Sequence, residues 1–387
     1  MLTVPRLEKL DLYHHEALSF LVRIAGINSG SFNREGISQV MEACASSLGE
    51  AGFTTQKLEG NHFLASRRGF LRPRVMILGH MDTAFDVTHP FKEVFYEGER
   101  LRGPGVSDMK GGIALVTFAL RYLAELGKLD DRTVTVLFNS DEEIHSQSSR
   151  HAIEEQARSH DLVMVFEGGK RVDEKTTTYV YQRRGAGLAT FTVTGKSSHA
   201  GTDHEKGVNA LEELGYKVIE LQKLTDYDEG TTVSAAGDLE FRDTRKNVVP
   251  GWVRFNVDFR FKTPGEAERL IEQFKKIAAT PYVRNRYGET AKTDLDVRIM
   301  RPPMVPNAQC LRFASILEGL AREIDHPIVE KTRGGGSDGC FTAALGIPTL
   351  DGVGPVGDNW HTDKEYLEIA SLKKRMELFI SFWHSLF

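Results

Sequence analysis

Cysteine is scarce: Cys44, Cys310 and Cys340 are the only three in 387 residues. They are too widely spaced, and odd in number, to form a disulfide framework or a CxxC metal knuckle. They fit reduced thiols in a cytoplasmic protein. A basic excess is missing as well. Lys and Arg total 49 against 54 Asp and Glu, a formal charge of −5, which argues against a general nucleic-acid binder. No apolar run approaches the roughly 20 residues that span a bilayer, so no membrane segment is expected. The opening MLTVPRLEKL lacks the apolar core of a signal peptide, although a leader already removed would leave the same sequence. There is no internal repeat, low-complexity linker or long charge block. What is present is 40% apolar and 27% charged residues, the composition of a globular protein. At roughly 150 residues per domain the length suggests two to three domains.

The first third alternates helical and strand signals. Residues 8–24, 36–51 and 110–126 carry apolar side chains at helical spacing, and short apolar runs at 75–78, 134–138 and 162–166 read as buried strands. Together they predict an α/β layer with a mixed, mostly parallel sheet flanked by helices. The pattern changes near Gly185. A strand at 188–194, a helix at 207–224, an extended stretch at 231–241, a cleanly alternating strand at 252–261, a helix at 264–279 and a strand at 294–300 follow. That order, β-α-β-β-α-β, is the ferredoxin-like split motif. Helical and buried-strand signals return at 311–323, 348–350 and 366–386. The expectation is a discontinuous α/β domain, 1–184 and 302–387, interrupted by an inserted α+β domain at 185–301.

The three buried strands of the first third all run into ionisable residues. Residues 75–78 lead to Gly79-His80-Met81-Asp82, 134–138 to Asp141-Glu142-Glu143, and 162–166 to Glu167. Ligands of open α/β sheets bind outside the carboxyl ends of the strands. Carboxylates gathered there repel one another unless a cation neutralises them, and a divalent metal is the simplest one. His80 and Asp82 are two residues apart in extended backbone, so their side chains point the same way. That suits a ligating imidazole oriented by a carboxylate. Glu142 and Glu143 cannot both point identically, so one can ligate while the other faces substrate. Asp108, in Gly103-Pro104-Gly105-Val106-Ser107-Asp108, falls where a helix begins, which is also the position of an N-cap. His361, ahead of the last helix, adds a second imidazole. Carboxylates and imidazoles without thiolate fit zinc, manganese or cobalt.

Six motifs in order carry a resemblance: Gly79-His80-Met81-Asp82-Thr83, Gly103 to Gly112, Asn139 to Glu143, Ser198-His199-Ala200-Gly201, Gly334-Gly335-Gly336-Ser337-Asp338 and His361-Thr362-Asp363-Lys364-Glu365. From about residue 75 to 370 the chain resembles the co-catalytic zinc metallopeptidases that include carboxypeptidase G (glutamate carboxypeptidase), aminoacylase and the acetylornithine and succinyl-diaminopimelate deacylases. The resemblance implies two divalent metal ions per chain, zinc or else cobalt or manganese. Asp108 would bridge them, Glu143 and His361 would complete one site, and His80 and Glu167 the other. Glu142 would be the general base, and Asp82 would support His80. His199, in the inserted lid and dimerisation domain, would donate to the oxyanion, often across a homodimer interface. A cis peptide would follow Asp108. Asn247, Arg260, Gly335 and Gly336 match positions that contact the substrate's carboxylate end, and Arg301 is a weaker match. Arg254 and Arg260 share a strand face, however, and could simply be solvated. The implied activity is hydrolysis of a peptide or N-acyl amino acid at an amide next to a free carboxylate, glutamate carboxypeptidase-like, with an N-acetyl or N-succinyl amino-acid deacylase as the alternative. A metal-free binding relative would show a gap among the ligands or at the base, and the sequence has none.

Overall fold

The computed structural model describes residues 7–235, 238–242 and 245–386. The chain forms two compact units: one holds the residues up to Gln182 with 304–333 and those from 337 onward, the other Arg183–Pro303 with Gly334–Gly336. The changeovers at 182/183 and 303/304 stand against the expected 184/185 and 301/302. Gly334–Gly336 was not expected in the second unit. It is tied there by Arg183 Nη1, which donates to the carbonyls of Gly335 (3.0 Å) and Gly336 (3.4 Å).

The first unit is built on a six-stranded sheet in the order Thr54–Leu58, His62–Arg67, Arg132–Asn139, Leu71–His80, Leu162–Val165, Thr349–Leu350. The last four run parallel, and the first two form an antiparallel edge hairpin. This is the mixed, mostly parallel sheet that the sequence led us to expect. Successive residues of the central strand serve opposite faces. Val75 and Ile77 join the core under the helices Leu10–Ala25, Arg34–Glu50, Lys110–Glu125 and Ile369–Ser385, whereas Met76 and Leu78 join Ile153, Ala157 and Phe341 on the other side. The strand that ends at His80 therefore lies between two parallel neighbours whose connecting helices cover opposite faces. That is the switch point at which such sheets open a ligand crevice.

Two expectations are corrected. Residues 366–386 are not one helix: Tyr366–Glu368 is a strand paired with Arg100–Arg102, and the helix runs Ile369–Ser385. Three residues are too few for their period to be read. Asp108 is not an N-cap either, because the helix starts at Lys110 and Met109 precedes it without a side-chain cap.

The second unit is an antiparallel sheet in the order Thr232–Ala235, Trp252–Phe261, Gly185–Thr194, Lys292–Arg301, with helices Ala210–Gln222 and Pro264–Ala279. Val253, Phe255, Val257 and Phe259 pack beneath these helices with Phe191, Leu214, Leu270 and Phe274. Among the described residues no helix is long and apolar enough to cross a membrane.

Candidate metal centre

Strand register sets out the first unit's ionisable groups. His80 lies opposite Asn139 and Leu78 opposite Val165, so Asp82, Glu142, Glu143 and Glu167 leave the sheet side by side. Met109 packs directly over Gly79, where a Cβ would stand 2.6 Å from Met109 Cε. Asp82, fully buried, binds the loop ends together. Its oxygens accept from the backbone of Glu142 and Glu143 (3.2 Å each) and from Ser31 Oγ (2.7 Å). It also faces His80, whose Nδ1 is 3.4 Å from Asp82 Oδ1 and 3.0 Å from its carbonyl oxygen. A carboxylate at Nδ1 leaves Nε2 to act on the far side of the ring.

On that far side stands Asp108, followed by a cis peptide to Met109. Its two oxygens face different groups. Oδ1 is 3.3 Å from His80 Nε2, which is itself 3.5 Å from Glu167 Oε1. Oδ2 is 3.1 Å from His361 Nε2, which is also 3.1 Å from Glu143 Oε2. One carboxylate is thus shared by two sets, each adding one imidazole and one carboxylate. His80, Asp108 and Glu143 each offer a ligand atom within 4.8 Å of the others. His80 Nε2 and Glu143 Oε1 are buried without an aligned hydrogen bond. Buried lone pairs that face one another fit a cation, and a nitrogen and oxygen donor set without sulfur fits zinc, cobalt or manganese.

The electrostatics point the same way. Burial disfavours the His80 cation, but Asp108, Asp82 and Glu167 outweigh it and hold its pKa well above the usual histidine value. Hydrogen bonds to Asp108 and then Glu143 push His361 up to about 11. Burial, and then the Asp108 charge, raise Glu143 and Glu167. Asp108 is held low despite burial, because both imidazoles bind it. The carboxylates thus draw positive charge into the cluster.

Sequence reasoning missed the part played by Glu365. Its buried carboxylate accepts from Gly105 N (3.0 Å), Ser107 N (2.9 Å) and Asp108 N (3.0 Å) and so fixes the loop that carries the shared ligand. Gly105 makes that loop possible with φ of 72°. Burial and the Asp108 charge raise Glu365 to about 8, against the pull of the three N–H groups.

In the second unit the expected residues fall into two groups. Gly201 N and Thr202 N both donate to His199 Nδ1 (3.1 Å each), which puts the ring proton on Nε2. The side-chain amide of Asn247 stands beside that nitrogen, with Nδ2 at 3.3 Å. Arg260 and Arg301 both pair in register with Ala186, on either side of its strand. Arg301 is buried against Gly336, where a Cβ would stand 2.4 Å from Arg301 Cδ. Arg260 is held bidentately by Asp258 (2.9 and 2.8 Å). Asn247 precedes Trp252–Phe261 and Arg260 is near its end, and the stretch from Trp252 to Arg260 alone spans roughly 26 Å at ~3.3 Å per residue.

Residues 76–385 match the model of peptidase family M20/M25/M40. Carboxypeptidase G2 of Pseudomonas sp. (strain RS-16) is 29% identical over 379 residues, covering 92% of this chain and 86% of that protein. The succinyl-diaminopimelate desuccinylase of Alkalilimnicola ehrlichii is 27% identical over 369 residues, covering 88% of this chain and 92% of that protein. Among solved structures, the Bacillus subtilis YXEP protein, described as a dinuclear metal-binding peptidase, superposes with a TM-score of 0.72 at 15% identity, over 97% of this chain and 99% of that one.

Proposed function

This chain belongs to peptidase family M20/M25/M40 and is a metal-dependent hydrolase, and we propose that it cleaves an amide or peptide bond next to a free carboxylate, as a glutamate carboxypeptidase does. The observation that carries the site is the division of Asp108, with one oxygen toward His80 and Glu167 and the other toward His361 and Glu143. Two divalent cations held by these five residues, zinc in our reading, would supply Lewis acidity to the amide carbonyl and to water. Glu142 takes the proton of the attacking water on its carboxylate and passes it to the leaving amine. Asp82 keeps His80 oriented and holds the Glu142–Glu143 backbone. His199 Nε2–H stabilises the developing oxyanion, with Asn247 steering the ring.

Arg260 and Arg301, with Gly335 and Gly336, take the substrate's carboxylate end, for which the planar guanidinium fork is suited. The family resemblance, in which this histidine often acts across a dimer interface, supports a homodimer in which a second copy brings its His199 to the site. The free, buried thiols of Cys44, Cys310 and Cys340 agree with a cytoplasmic setting.

The test compares kcat/KM for peptidyl-glutamates and N-acyl-glutamates with that for N-acetyl and N-succinyl derivatives of other amino acids. Preference for C-terminal glutamate supports the reading. Inactivity on every C-terminal glutamate, with turnover of an acetyl or succinyl amino acid, moves the assignment to a deacylase.

A further inference from the structure

A cavity of about 530 Å³ opens beside Glu143, wholly within the first unit, between residues 30–33 and 83–87 with Ile144 on its wall. Phe32, Val87 and Ile144, all lining it, are 83%, 53% and 36% exposed. Its ionisable members are Asp86 and Glu143, and no Lys, Arg or His lines it among the described residues.

The exposure of these apolar side chains is not slack in a loop. Asn28 Nδ2 donates to the carbonyls of Phe85 (3.1 Å) and Asp86 (3.0 Å), and Ser29 Oγ to that of Met81 (2.7 Å). Thr83 N donates to Ser29 O (3.0 Å), and Ser31 Oγ binds Asp82 (2.7 Å). Gly30 comes so close that a Cβ would stand 2.5 Å from Phe85 O. The walls are therefore stapled to each other and to Asp82. A pocket with fixed walls and a mostly apolar lining is a ligand site rather than a collapsed loop. An aromatic ring held in water on such a wall is stabilised by whatever covers it.

The occupant follows from charge and continuity. The proposed function, on which this rests, gives the carboxylate of the leaving amino acid to arginines of the second unit. The cavity has no cation for a carboxylate, yet it shares Glu143 with the cluster where the amide is cut. We propose that it is the acyl pocket and that it takes a large uncharged apolar acyl group, aliphatic or aromatic. A succinyl group would bring its free carboxylate toward Asp86 with no cation to compensate, and is disfavoured.

The experiment measures binding by calorimetry and hydrolysis for N-acetyl-, N-hexanoyl-, N-benzoyl- and N-succinyl-glutamate on the metal-loaded protein and on Phe32→Ala and Val87→Ser. Both substitutions are at exposed positions, and circular dichroism checks that each variant is folded. The pocket predicts hexanoyl and benzoyl at least tenfold above acetyl in kcat/KM and in affinity, with succinyl at or below acetyl, because apolar groups in a fitted pocket discriminate by such factors. In each variant the hexanoyl-to-acetyl ratio should fall by about tenfold. Equal affinities across the series, or ratios unchanged in both variants, would overturn the acyl pocket whether or not hydrolysis occurs. A Phe32-dependent binding preference without hydrolysis of any compound would uphold the pocket and count against the catalytic reading instead.

Discussion

Asp108 is the residue on which both halves of the cluster depend. Because Oδ1 serves the His80 side and Oδ2 the His361 side, its loss and the loss of a one-sided ligand should differ in kind. Asp108→Ala should bring metal content from about two per chain to near zero, whereas His361→Ala should retain about one, read by elemental analysis after exhaustive dialysis. Equal losses in the two variants would refute the shared-ligand assignment. Most of these residues were legible in the sequence, because an ionisable group at the end of a buried strand leaves a local signal. His80, Glu143 and Glu167 each follow a short apolar run, and the sheet register does the rest. Glu365 was not legible. It closes the motif His361 to Glu365, but its partners at 105–108 lie far away in sequence, and no spacing rule connects them. Arg260 shows a further limit: its residue type suits carboxylate binding, but nothing in the sequence reveals that its Nε and Nη2 are held by Asp258 of the same strand.

At the level of helices and strands, legibility followed length and one-sided burial. The strand Trp252–Phe261 alternates buried and half-buried along all of its length, and its bounds were read correctly. The helix Pro264–Ala279 was marked by Pro at its start, with Thr263 accepting from Glu266 N as its cap. The hairpin of Thr54–Leu58 and His62–Arg67 was missed, because the first of these strands is almost wholly exposed and has no apolar period. The two helices of the second unit are joined by a feature equally silent in sequence. Lys217 and Glu213, both fully buried, pair at 3.0 Å. Lys217 Nζ also donates to the carbonyls of Ile277 (2.7 Å), Ala278 (3.2 Å) and Thr280 (2.8 Å), at the carboxyl end of Pro264–Ala279. Glu213 in turn accepts from Tyr282 N and Val283 N. Removing one partner strands the other charge, so Lys217→Ala should destabilise the protein by about 3 kcal/mol in urea unfolding. A change below about 0.5 kcal/mol would mean that the pair is dispensable.

Across the whole chain, acid should act through buried neutral histidines as well as through the carboxylates. Burial, with Arg375, Lys374 and Arg171 nearby, lowers His326 to about 3. The ordinary value in the unfolded chain is about 6.5, so between these values the unfolded state binds the extra proton. Stability from this group is therefore complete above about pH 6.5 and is lost as the pH falls toward 3, at up to about 1.4 kcal/mol per pH unit. Urea unfolding of His326→Asn, compared with the parent in chelator, should show a shallower loss over that window. An unchanged slope would mean that His326 is not held neutral.

The central claim is that Asp108 organises two cations for amide hydrolysis. The measurement that reaches it most directly is elemental analysis of the purified protein, with hydrolysis of an N-acyl-glutamate followed before chelation, after it, and after zinc, cobalt or manganese is returned. The account predicts about two metal ions per chain, turnover abolished by chelation and turnover restored on return of metal. Folded protein that takes up no metal under any of these conditions, or that hydrolyses the substrate equally well without it, would contradict the claim.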